Sequence, residues 1–129
     1  MRVVALVVLA TLAACAGSAR SVPTAPDDGI RSQPLTVEEA ARILDQRSAE
    51  LSRCYAYERL NQSLPAGADF VAQVFVPNDG SQPVVEMVAV AAPGHQTLED
   101  CLIRTLASTR FPAHAGEPFT INVPIKAPR

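Results

Sequence analysis

Tryptophan is absent from this chain of 129 residues, and aromatic residues of all kinds make up only 5 % of it. With so few large rings, any core must rest on aliphatic side chains, and a small domain of this kind gains much from a covalent brace. A basic stripe is missing as well: 11 Lys and Arg are interleaved with 13 Asp and Glu, for a net charge of −2. That balance cannot neutralise a run of phosphates, which excludes a nucleic-acid surface. Histidine is limited to His95 and His114, both in loops bearing proline and glycine. Neither has a His, Cys or carboxylate at ligand spacing, so no metal or cofactor is expected and both rings are read as solvated. The chain has no G-x-S-x-G, phosphate loop, H-E-x-x-H or C-x-x-C. The acidic pairs Glu38-Glu39 and Glu99-Asp100 each open a helical pattern, where negative charge complements the N-terminal dipole. No catalytic residue is expected, and the chain is not read as an enzyme.

Long apolar runs are confined to the start. "MRVVALVVLATLAAC" carries one positive charge and then an apolar stretch from Val3 to Ala14. This is the layout of an export signal, short of the roughly 20 residues that a membrane span needs. Leu12-Ala13-Ala14-Cys15 matches the bacterial lipobox, which predicts residues 1–14 as a lipoprotein signal peptide and Cys15 as the lipidated first residue of the mature chain. A thiol is required there because its sulfur accepts the diacylglycerol, and each buried CH₂ adds about 0.8 kcal/mol of membrane affinity. Ordinary secretion, with cleavage after Ala16, is the alternative reading of the same stretch. By resemblance to enterobacterial sorting, Ala16 after the cysteine points to the outer membrane, facing the periplasm. Residues 15–34 then form a tether: small, polar, proline-bearing and without periodicity. About 19 such residues have an r.m.s. reach of roughly 25 Å, which holds the domain close to the membrane.

From residue 35 to 129 the pattern is that of a single small domain. Thr36 and Glu39 form a T-x-x-E capping box with Leu35 at the staple position, and Val37, Ala40, Leu44, Leu51 and Tyr55 follow at helical spacing until Pro65 and Gly67. Two β-branched runs, "DFVAQVFV" and "VVEMVAV", flank "PNDGSQP", whose Asn78-Asp79-Gly80 tolerates positive φ and predicts a hairpin. Both runs are apolar on both faces, so one face is expected under helices and the other partly under a partner. Thr97 and Asp100 open a second helix with Leu98, Cys101, Leu102, Thr105 and Leu106 on one side, and Phe111-Pro112 ends it with an aromatic tucked under the sheet. "FTINVPIK" alternates Phe119, Ile121, Val123 and Ile125 with Thr120, Asn122, Pro124 and Lys126. Pro124 has no N–H for a ladder, which puts this strand at an edge or ends its pairing there. The expected class is α+β, in the order α-β-β-α-β, with helices packed on a short, largely antiparallel sheet.

Three cysteines are an awkward number for an exported protein unless one of them is acylated. With Cys15 taken, Cys54 and Cys101 remain, on the inward faces of the two predicted helices. An oxidising compartment favours a disulfide between them, which would close a loop of 47 residues and contribute roughly 4 kcal/mol in the chain-entropy picture. Two buried free thiols are the other reading. On the surface, Tyr55 and Tyr57 lie about 200° apart on a helix. Only one can face the core, and Tyr57, with Thr120 and Asn122 on the last strand, is a candidate partner contact.

"RCYAYERL" and "LEDCLIRTLASTRFPAHAGEPFTINVPI" together resemble the TonB C-terminal-like domain of myxobacterial envelope proteins of the AgmX type. The joint spacing of Cys54, Tyr55, Cys101, Phe111 and Pro112 carries the resemblance over roughly residues 40–126. It implies the α-β-β-α-β arrangement, a Cys54–Cys101 bridge, and a periplasmic interaction module whose partner, another envelope protein, binds at a sheet edge. The chain departs from TonB itself in having no long proline-rich spacer. A structural envelope lipoprotein, or a non-catalytic subunit of an envelope enzyme or transport complex, fits the same features.

Overall fold

Residues 31–129 are described by the structure, a computed structural model. The expected signal peptide, the lipidated Cys15 and the tether up to residue 30 lie outside the described residues. Among the described residues no helix is long and apolar enough to cross a membrane.

The first helix starts as its sequence predicts. Glu39 N–H donates to Thr36 Oγ1 at 3.1 Å and Thr36 N–H donates to Glu39 Oε2 at 3.0 Å, closing the capping box. Leu35 and Ala40, the two ends of the staple, are both buried. The expected single helix is in fact two: α1 spans Val37–Asp45 and α2 spans Ser48–Asn61. At the break Arg47 N–H reaches Leu44 O at 2.9 Å, a tightened final turn. The Arg47 side chain then holds the bend, donating to Glu50 Oε1 at 2.9 Å and Ser108 Oγ at 2.6 Å. The order is therefore α-α-β-β-α-β, within the same α+β class.

Strands β1 (Phe70–Val76) and β2 (Val84–Val90) form the hairpin, and β3 (Phe119–Ile125) pairs with the other side of β1. The sheet is antiparallel throughout, in the order β2-β1-β3, so Pro124 does lie on an edge strand. In the turn only Gly80 has a positive φ, at +76°, while Asp79 Oδ1 accepts from Ser81 N–H at 2.9 Å. Helix α3 spans Gln96–Ala107, with His95 at its cap position and no side-chain cap bond. It starts just before the expected Thr97, and Gln96 donates to Asp100 Oδ1 at 2.9 Å.

One face of the sheet is closed by the helices. Phe70, Ala72, Val74 and Val76 of β1 meet Leu44, Tyr55 and the Leu98, Leu102, Leu106 stripe of α3. Phe111 is buried in the same core, as expected. Cys54 and Cys101 are joined in a disulfide between α2 and α3, with Cα atoms 5.8 Å apart. Residues 31–34, placed in the tether by composition, are attached to the domain. Arg31 N–H donates to Ala113 O at 2.9 Å, and Ala115 N–H donates to Arg31 O at 3.0 Å. Pro34 packs so closely on Gly116 that a Cβ there would come within 2.8 Å of the proline ring.

Candidate functional site

Among the described residues, a concavity lies where β3 leaves the sheet open. Val37, Ala41 and Leu44 of α1 and Leu51 of α2 form one wall, Tyr55 of α2 lies beneath, and Ile121 to Ile125 of β3 with Lys126 just beyond it form the other wall. The groove holds about 410 Å³, with Asp45 and Lys126 as its charged members. Both helices contribute to it across the break at Gln46-Arg47. Val37, expected in the helical apolar stripe, is exposed as groove wall instead of core.

Tyr55 forms the floor and is tied from below. Its hydroxyl donates to Ala68 O at 2.9 Å, and its ring meets Phe70 edge-on at 6.4 Å between centroids. Burial, helped by the charge of Asp69, pushes its phenol up to about 12. Tyr55 thus faces the core and Tyr57 faces outward, 59 % exposed. Of the candidate contacts, Asn122 lines the groove, Thr120 lies two residues earlier on the same strand, and Tyr57 lines neither. The structure therefore places two of the three on one strand and leaves the third apart on α2.

The two histidines correct the expectation of solvated loop rings. His114 is 2 % exposed. Its backbone is fixed by a bond from its N–H to Asn78 O at 2.8 Å, and its Nδ1 accepts from Gly116 N–H at 3.2 Å. Its Nε2 has no partner among the described residues, and its ring lies 6.2 Å from that of Phe119. His95 packs against α2, its Nδ1 2.8 Å from Glu58 Oε1. Glu58 is 1 % exposed and also accepts from Gln62. Sequence reasoning missed this couple, yet a signal was present: Glu58 follows Cys54 by four residues and Tyr55 by three, which puts it on the inward stripe. A buried carboxylate needs a donor, and the loop before α3 brings one.

Chemically, the groove offers apolar walls beside the free backbone edge of a strand. Such a combination takes an extended segment, whose main chain bonds to the edge while alternate side chains enter the cleft. Among the described residues no group of three His, Cys, Asp or Glu side chains could hold a metal ion. Compared with family models, curated proteins and solved structures, the chain matches none.

Proposed function

We propose that this chain is a lipid-anchored envelope protein that works as an interaction module, not as an enzyme, and takes an extended segment of another envelope protein at its β3 edge. The groove between α1, α2 and β3 is the observation that carries this reading, because it lies along an edge strand whose outer side pairs with no other strand among the described residues. Main-chain pairing would supply affinity there, and the apolar cleft would select the side chains. The lipobox at Cys15 and the Cys54–Cys101 disulfide support a periplasm-facing location, with the outer membrane as the site of anchoring. The resemblance to the TonB C-terminal-like domain supports the same mode of binding.

Photocrosslinking in intact membranes tests it. A crosslinker at Val37, an exposed member of the groove wall, is expected to yield an adduct that is lost when Ala41→Trp fills the groove. A folded, correctly exported protein that gives no adduct from Val37 sinks the proposal.

A further inference from the structure

Helix α2 is inverted near its C-terminal end. The carboxylate of Glu58 is buried, whereas Leu60, two residues on, is 85 % exposed, more than any other large apolar side chain among the described residues. Tyr57, also exposed, lies three residues before Leu60 and so on the same side of the helix. Arg53 and Arg59 flank the pair, and both are exposed. Among the described residues Arg53 forms no ion pair, and Arg59 donates only to a neutral carbonyl, Pro128 O, at 2.7 Å. The two acids of α2 are engaged elsewhere, Glu50 with Arg47 and Glu58 with His95. The solvent side of α2 is thus apolar at its centre and cationic at its margins, in a chain whose net charge is −2.

We infer that this side of α2 docks on the anionic surface of the bilayer that holds Cys15, an inference that rests on the lipid anchor of the function proposed above. Leu60 and Tyr57 project from a convex helix and line none of the concavities formed by α1 and the sheet, so they offer a protein side chain no recess. A fluid headgroup layer accepts such projections: Leu60 enters the apolar boundary and the Tyr57 hydroxyl stays at headgroup level. The arginine stems lie along the same boundary while their guanidinium groups reach lipid phosphates. Each cation near an anionic surface strengthens binding about fivefold. Two of them and two apolar side chains bind weakly by themselves, and the anchor makes up the difference. The 16 peptide bonds from Cys15 to Arg31 span at most about 55 Å. Arg31 is fixed at the Ala113–Ala115 end of the domain, and Tyr55 of α2 bonds to Ala68 at the other, about 20 Å away along β1. That link is long enough for the patch to meet the membrane, and confinement within its radius raises the local concentration to the millimolar range. Leu60 lies about 140° round the helix from Tyr55, so docking leaves the groove open.

The mature acylated chain in nanodiscs of phosphatidylglycerol and phosphatidylethanolamine, with a trace of nitroxide-labelled lipid, tests the inference by NMR. Intact mass first establishes the acyl chains. Line broadening is expected to be strongest at Tyr57 and Leu60 and negligible at Asp79 and Gly80, at the far end of the sheet. Leu60→Asp should lower the docked-to-free ratio by about tenfold or more. Arg53→Glu should lower it by about tenfold in these discs and barely in discs of phosphatidylcholine alone. Both side chains are exposed, and unchanged core amide shifts check that the variants fold. Equal broadening over the whole domain overturns the inference, as does broadening that either substitution leaves unchanged. So does a patch that stays free on the discs and is covered only in the crosslinked complex with a protein partner. A chain exported without acyl groups refutes the anchor and the docking together, whereas an acylated chain with an undocked patch refutes the docking alone.

Discussion

At the scale of single side chains, two ionisable groups tie stability to pH. Glu39 is held below the usual carboxylate value, first by the Thr36 backbone N–H and then by the Arg31 guanidinium. A lowered value means that its contribution is present above the ordinary carboxylate range and fades as pH falls through the depressed one. Removing the hydroxyl with Thr36→Ala is expected to cost about 1 kcal/mol, read by urea denaturation at neutral pH. Tyr55 works at the other end of the scale. Its phenol is raised to about 12 by burial and by Asp69, so the neutral form is the one the fold prefers. Its contribution is complete below the ordinary value of about 10 and disappears as pH rises through about 12. Tyr55→Phe keeps the ring but strands Ala68 O, costing roughly 1–3 kcal/mol at pH 8. Denaturation series from pH 9 to 12 should show the gap between wild type and Tyr55→Phe closing as pH rises; a constant gap would contradict the burial argument.

At the scale of elements, one covalent link carries much of the stability. The disulfide spans 47 residues of sequence and ties the middle of α2 to the middle of α3. Replacing both cysteines by alanine should lower unfolding free energy by roughly 4 kcal/mol, a large share for a domain with so small a core. Denaturation with and without reductant measures this, and the double variant should be insensitive to reductant. The bridge was legible in advance because Cys54 and Cys101 fall on apolar helical stripes, and so were the capping box, the hairpin and the edge position of Pro124. What could not be read depends on distant partners. The bend between α1 and α2 is held by Arg47 through Ser108, which lies 61 residues away, and no local pattern announces it. The burial of His95 and His114 likewise depends on Glu58 and Asn78, residues that only the fold brings near. The groove inherits this opacity: its β3 wall was visible as alternation, but its helical wall draws on two helices where the sequence pattern shows one.

Across the whole molecule, the covalent brace and the groove meet only in α2. The disulfide joins α2 to α3, whereas the groove is lined by α1, α2 and the stretch from Ile121 to Lys126. Sites without shared partners act independently. Ala41→Trp is therefore expected to abolish the crosslink to the partner while leaving the stability lost on reduction within about 0.5 kcal/mol of wild type. The variant lacking both cysteines should in turn keep its crosslink wherever it is still folded. Crosslink yield and denaturation with and without reductant, measured on both variants, check this. A crosslink lost from a folded double-cysteine variant would mean that the bridge itself positions the groove wall on α2.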